Sequence, residues 1–155
     1  MNMMIATSYF YQIRNLNPNM VPVSTALGDP VWYKPPIGKE YYIDKRGIVC
    51  GLRYEPLIVQ GMGSHSCPCE GKSSAPYCPT MTEYRDLLET VDFDRMIKAF
   101  EFCCNKFNAD TIVLMVHESP KNLCSERWAL QSYFKFHGYD CEELKYPIKE
   151  NYKCL

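Results

Sequence analysis

The segment Thr111–Val116 limits the possible folds most strongly, because its six residues are all apolar or β-branched. An uninterrupted run of this kind is typical of a strand that is buried on both faces of a parallel sheet. Such a strand needs helices above and below it to cover its two faces. The run therefore predicts an α/β fold with a mainly parallel sheet.

A helix and a further strand are predicted after this run. Residues 124–137 form the predicted helix, and Gly138 suits its end because glycine readily adopts a positive φ. Residues 139–144 resemble a polar strand. Segment 111–144 is therefore expected to form a strand–helix–strand crossover, which is right-handed if both strands share a sheet.

The preceding part of the chain predicts two more helices and two short strands, and residues 47–59 offer one or two further strand candidates. The spacing of Thr80 and Glu83 is that of a capping box, so a helix is expected to start at Thr80. From Asp92 to Phe107, apolar residues recur every three or four positions, which indicates an amphipathic helix. Residues 3–7 and 20–24 predict short strands. Pro22 removes one hydrogen-bond donor from the second of these.

Length and charge exclude several classes of protein. A chain of 155 residues fits one domain, 1–155, and its net charge of -1 provides no global field for binding nucleic acid. No apolar run is long enough to cross a bilayer, and the N-terminus lacks the pattern of a signal peptide. We therefore expect a soluble, cytoplasmic protein.

Nine cysteines are unusual for such a chain, and an odd number cannot be paired completely within it. Disulfides are also disfavoured in a cytoplasmic protein. Five cysteines are dispersed and are expected to be small buried apolar residues: Cys50, Cys103, Cys104, Cys141 and Cys154.

Residues 61–80 form a loop rich in cysteine and histidine, with many glycines and prolines and few apolar residues. His65, Cys67, Cys69 and Cys78 supply one imidazole and three thiolates, which is a ligand set for a closed structural zinc site. Only one residue separates Cys67 from Cys69, a spacing shorter than that of common zinc motifs. Free thiols, or a disulfide within or between chains, are the alternatives. A four-ligand site would imply a role in stability and not in catalysis.

A second group of reactive side chains follows strand 111–116. Glu118, Cys124 and Arg127 lie where ligands bind in open α/β sheets, and the start of the next helix favours an anion. Glu118 is a candidate general base, Cys124 a candidate nucleophile and Arg127 a candidate phosphate clamp. The alternative is that Cys124 and Ser125 cap the helix and that Glu118 pairs with Arg127.

Several segments resemble an uncharacterised bacterial and phage family, number 488 among the domains of unknown function. The resemblance rests on Glu118, Pro120 and Cys124 after the buried strand, and on segments 8–10, 22–24 and 28–33, in the same order. Ser125 and Glu126 stand where that family has histidine and arginine, which indicates a divergent subgroup.

The resemblance implies a Rossmann-like three-layer fold, with the cysteine-rich loop as an insertion, and a ligand site at the sheet edge. We expect Ser8, Tyr9 and Ser125 to contribute to that site. The resemblance implies no established reaction.

Two functions follow as hypotheses. The first is an enzyme, or a degenerate relative of one, that binds a nucleotide or another phosphate-bearing ligand at the junction between strand 111–116 and helix 124–137. The second is a metal-stabilised binding or regulatory module, for example a phage-encoded modulator of a host protein or nucleic acid. The many aromatic residues support the second hypothesis, although aromatic residues are most often part of the core.

Overall fold

A computed structural model describes residues 2–59 and 67–148. Its strands are β1 (Met4–Tyr9), β2 (Met20–Ser24), β3 (Tyr42–Ile43), β4 (Val49–Cys50), β5 (Thr111–Val116) and β6 (Cys141–Glu143). Its α-helices are α1 (Pro79–Leu88), α2 (Phe93–Lys106) and α3 (Glu126–Phe136). Short 3-10 helices span Phe10–Asn15, Val31–Tyr33 and Glu55–Leu57.

Four strands form the main sheet in the order β2-β5-β1-β6, and all neighbours are parallel. All six residues of β5 are buried, as the apolar run predicts. β2 lies at an edge of this sheet, where Pro22 is tolerated because only one side of the strand is paired within the sheet. β3 and β4 form a separate antiparallel hairpin. The predicted α/β class and the mainly parallel sheet are confirmed.

The two faces of the sheet are covered differently. Ile112 and Leu114 share one core cluster with buried residues of all three α-helices. Val113 and Met115 point to the opposite face and pack with residues of the Phe10–Asn15 helix and the hairpin.

The Rossmann-like three-layer arrangement is therefore not confirmed, because α-helices contribute to only one of the two clusters. The physical reason lies in segment 10–19, which joins β1 to β2. This connection is too short for an α-helical crossover and holds a 3-10 helix instead.

The helix starts differ in part from the sequence prediction. The predicted capping box at Thr80 is wrong, because α1 begins at Pro79 and Cys78 is the residue that precedes it. Proline suits this first position because its missing N–H would have no partner within the helix. At α2 the prediction holds, and the Asp92 side chain accepts a hydrogen bond from the Arg95 amide at 3.1 Å.

Helix α3 and strand β6 complete the predicted crossover. Ser125 precedes α3 and accepts a hydrogen bond from the Arg127 amide at 3.4 Å. Gly138 follows the helix with a φ of 91°, as expected for a helix end. β6 then pairs with β1, so the connection passes over β1 before it returns to the sheet. Within residues 2–59 and 67–148, no helix is long and apolar enough to cross a membrane.

Candidate metal centre

Four cysteine sulfurs lie close together beside the starts of α1 and α3. Cys67, Cys69, Cys78 and Cys124 all have their sulfurs within 4.8 Å of one another. The Sγ of Cys78 lies 3.2 Å from that of Cys67, 3.6 Å from that of Cys69 and 3.4 Å from that of Cys124. All four are free thiols. We call this group the thiol cluster.

The spacing of the sulfurs fits a tetrahedral metal ion. Sulfurs at the corners of a tetrahedron with metal–sulfur bonds of about 2.3 Å lie about 3.8 Å apart. The separations of 3.2 to 3.6 Å are slightly shorter than this value, and every pair of sulfurs lies within 4.8 Å. The thiol cluster is therefore compatible with a metal site.

Three segments of the chain bring the sulfurs together. Cys67 and Cys69 lie in a turn, in which the Glu70 and Lys72 amides donate to the carbonyl oxygens of Cys67 and Cys69, respectively. Cys78 immediately precedes α1. Cys124 comes from the turn that leads into α3, and its thiol is fully buried.

Asn122 fixes the turn that carries Cys124. Its Oδ1 accepts a hydrogen bond from the Cys124 amide at 2.9 Å, and its carbonyl oxygen accepts one from Trp128 Nε1 at 3.1 Å. Next to it, the Leu123 amide donates to the Gly71 carbonyl at 2.9 Å. The turn before α3 is thus joined directly to the loop that carries Cys67 and Cys69.

The thiols differ in their tendency to ionise. Burial opposes ionisation of Cys67, but hydrogen bonds from the Thr80 hydroxyl and the Cys69 backbone amide lower its pKa to about 6. Burial, together with its contact with Cys78, raises the pKa of Cys124 well above the usual range. Four adjacent thiolates repel one another, so a bound cation is the natural way to ionise all of them.

The predicted ligand set changes in one member. Cys67, Cys69 and Cys78 lie together as expected, whereas His65 lies outside the described residues. Cys124, which we expected as a nucleophile, lies among the thiols instead. The single residue between Cys67 and Cys69 does not keep their sulfurs apart, since they are separated by 3.4 Å. Within the described part of the chain, no disulfide is present.

Arg127, another predicted catalytic residue, forms an ion pair with a carboxylate on β6. Arg127 is fully buried, and its Nε donates to Glu143 Oε1 at 2.8 Å while its Nη2 lies 3.3 Å from Oε2. Its guanidinium also lies 5.4 Å from the centre of the Tyr9 ring. Arg127 therefore pairs with Glu143 on β6, and its expected role as a phosphate clamp stays a prediction.

Glu143 belongs to a polar network that sequence reasoning missed. Thr7 on β1 donates to Glu143 Oε1 at 2.8 Å, and Gln131 on α3 donates to the Thr7 hydroxyl at 2.8 Å. With Arg127, these side chains connect two strands and one helix. No sequence motif signals such a network, because its residues come from three separate elements of the chain.

The charge of Glu118 acts on the carboxyl group of Glu126. Glu126 is buried and accepts a hydrogen bond from the Thr25 hydroxyl at 3.4 Å. Burial and the negative charge of Glu118 raise the pKa of Glu126 to about 8. The role of Glu118 as a general base stays a prediction.

The residues expected at the ligand site are largely enclosed. Ser8 and Ser125 are fully buried, and the Ser8 hydroxyl lies 2.5 Å from the hydroxyl of Tyr146. The Tyr9 hydroxyl accepts a hydrogen bond from Gln12 Nε2 at 3.1 Å. Ser125 has the capping role that was the alternative expectation. Ligand binding by these three residues stays a prediction.

The dispersed cysteines partly follow their expected burial. Cys50, Cys104 and Cys141 are buried, Cys103 is half-buried, and Cys154 lies outside the described residues. None of the four described ones belongs to the thiol cluster. They provide internal controls for any experiment on the cluster.

Two residues near the thiol cluster were missed by sequence reasoning, although signals for them existed. Asparagine two positions before a turn residue often accepts a hydrogen bond from that residue's amide, as Asn122 does from Cys124. Gly71 has a φ of +80°, and a Cβ there would lie 2.8 Å from Asn122 Oδ1. Glycine is therefore required at position 71 for both reasons.

No protein-family model, curated protein or solved structure matches this chain.

Proposed function

We propose that the thiol cluster holds one zinc ion and that the chain is a zinc-stabilised binding domain. The observation that carries this proposal is the position of Cys124, whose buried sulfur completes a set of four with Cys67, Cys69 and Cys78. Four thiolates in a tetrahedral arrangement select zinc or iron among the common metals. Zinc is favoured because it is the usual ion of closed structural sites with four cysteines.

The proposed ion has a structural role. A closed site has no open position for water or substrate, so it does not supply the chemistry of catalytic zinc. Its effect would be to join the loop of Cys67 and Cys69 to the starts of α1 and α3. Cys124 as a metal ligand would not act as a nucleophile.

A second candidate function is the binding of a phosphate-bearing ligand at the carboxyl end of the sheet. The parallel arrangement of β1, β2 and β5 supports it, because their carboxyl ends share one edge and ligands of open parallel sheets bind there. Modulation of a host protein or nucleic acid stays a prediction.

Elemental analysis of the purified protein tests the zinc proposal. We expect about one equivalent of zinc per chain and little iron. Cys124→Ser should lose most of the zinc, whereas the matched variant Cys103→Ser should keep it, because Cys103 lies outside the thiol cluster. Full zinc content in Cys124→Ser, or iron in place of zinc in the wild type, would contradict the proposal.

A further inference from the structure

A cavity of about 600 Å³ opens beyond the carboxyl ends of β1 and β5. The chain leaves β1 toward the face covered by the Phe10–Asn15 helix, and it leaves β5 toward the face covered by α3. Neighbouring parallel strands whose connections diverge in this way leave a crevice between them, which is the usual ligand position in open α/β sheets. The cavity lies on the side of the 3-10 helix, away from the thiol cluster.

Aromatic rings form one wall of this cavity. Phe10 contacts Trp32 edge to face with ring centres 6.2 Å apart, and it packs against His117 at 5.0 Å. The Tyr42 hydroxyl donates to the Trp32 carbonyl, and His117 Nε2 is hydrogen-bonded to the Gly28 carbonyl. Trp32 is nevertheless 49% exposed. A large ring that is held in place while its surface stays open is a suitable stacking platform.

The charged side chains that line the cavity are both cationic, Arg14 and Arg46. Arg46 is paired with Asp44 at 2.5 Å, which orients its guanidinium but cancels part of its charge. Within the described part of the chain, Arg14 has no ion pair, and its guanidinium lies over the Tyr11 ring. Because the whole chain has a net charge of -1, two arginines in one cavity lined by no carboxylate mark a local preference for an anion.

We propose that this cavity binds a nucleoside monophosphate, with its base against the Trp32 ring and its phosphate at Arg14 and Arg46. The volume lies within the range of small-molecule sites. A flat ring with an attached dianion matches both the aromatic wall and the guanidinium pair. Arg14 should contribute more than Arg46 to phosphate binding, since Arg46 already forms an ion pair with Asp44.

This inference rests on the proposed binding of a phosphate-bearing ligand at the carboxyl end of the sheet. It places the ligand on the side of the Phe10–Asn15 helix, whereas the sequence analysis predicted the start of α3. It does not depend on zinc. The cavity residues lie on segments 10–14, 30–46 and 117, whereas the thiol cluster lies on segments 67–78 and 124.

Isothermal titration of the purified full chain with AMP, GMP, CMP and UMP, each separately, tests the proposal. The free nucleosides and inorganic phosphate are titrated in the same way for comparison. At least one nucleotide should bind with a Kd below about 1 mM. It should bind at least about tenfold more tightly than its own nucleoside or inorganic phosphate, because only the nucleotide engages ring and guanidinium together.

Three variants separate the two parts of the site. Arg14→Gln should weaken the nucleotide about tenfold and leave the nucleoside unchanged. Trp32→Leu should weaken both nucleotide and nucleoside. Arg85→Gln, which removes an exposed arginine on α1, should change neither.

Several results would overturn the proposal. These are the absence of binding by all four nucleotides, equal binding of inorganic phosphate, and an equal loss in Arg85→Gln and Arg14→Gln. Zinc is measured in the same samples. Zinc-free protein that still binds the nucleotide would contradict the metal proposal and support this one, whereas zinc-loaded protein without nucleotide binding would do the reverse.

Discussion

The Sγ of Cys124 lies 3.4 Å from the Sγ of Cys78, although 46 positions separate the two residues in the chain. Cys78 precedes α1 and Cys124 lies two positions before α3, so this contact brings the starts of two helices together. A metal ion bound there would fix the two helices relative to each other and to the loop that carries Cys67 and Cys69. The site would thus stabilise the start of α1 and the start of α3, whereas the sheet is stabilised by its own apolar core.

Removal of the metal should destabilise the turns that carry the thiol cluster before it affects the sheet. Chelation is expected to raise amide hydrogen exchange in segments 67–79 and 119–125, because the ion replaces a core that these turns lack. Exchange in β1 and β5 should change much less. Hydrogen exchange followed by mass spectrometry measures both sets of segments in one experiment. Equal loss of protection in the sheet would show that the ion supports the whole fold.

Gly71→Ala should destabilise the protein more than Gly38→Ala. Both glycines have a φ near +80°, but only at Gly71 would a Cβ meet another group, Asn122 Oδ1 at 2.8 Å. Asn122 cannot move away freely because it holds the Cys124 amide. Thermal unfolding should therefore show a larger fall in Tm for Gly71→Ala, accompanied by weaker metal retention. Equal effects of the two substitutions would show that the contact with Asn122 has no role.

Arg127→Met should destabilise the protein by about 3 kcal/mol, because it leaves the Glu143 carboxylate without its buried partner. Lys135→Met is the matched control, since it removes the exposed pair of Lys135 with Glu142 and should cost less than about 1 kcal/mol. Urea unfolding measures both free energies. If Arg127→Met unfolded like the wild type and lost only ligand binding, Arg127 would be a ligand clamp and not a structural residue.

The buried Glu126 should make stability fall as the pH rises. Its pKa is raised from 4.5 to about 8, so the folded protein keeps a proton that the unfolded chain has lost. The stability from this proton is complete below about pH 4.5 and disappears as the pH rises through about 8.

Glu126→Gln removes this proton linkage. Between pH 5 and pH 8, the free energy of unfolding of the wild type should fall relative to that of the variant by more than about 1 kcal/mol. Metal loss at low pH affects both proteins and cancels in the difference. Glu83→Gln, at an exposed position of α1, should track the wild type. A constant difference between the wild type and Glu126→Gln would show that Glu126 is ionised in the folded protein throughout this range.

Local patterns in the sequence predicted the elements that have a strong local signal. The run Thr111–Val116 is a fully buried parallel strand, and the apolar stripe after Asp92 forms α2. The capping box at Thr80 failed because Pro79 already allows the helix to begin one residue earlier. The arrangement of the helices on one face could not be read from periodicity, which identifies an apolar side of a helix but not the face of the sheet that it covers.

The candidate site was predicted only where its residues lie close in sequence. Cys67, Cys69 and Cys78 formed an evident group, whereas Cys124 lies on a distant turn and has the position expected of a nucleophile in an α/β fold. Its place among the thiols depends on the packing of α1 beside α3, which is a tertiary property. The pairing of Arg127 with Glu143 was missed for the same reason, because β6 returns beside β1 and not beside β5.

X-ray absorption spectroscopy at the zinc edge of the native protein tests the central claim most directly, because it counts the sulfur and nitrogen neighbours of the ion. Coordination by Cys67, Cys69, Cys78 and Cys124 predicts four sulfurs at about 2.3 Å and no nitrogen. Three sulfurs with one nitrogen at about 2.0 Å would instead indicate a histidine such as His65 as the fourth ligand. That result would contradict the assignment of all four cysteines to the metal.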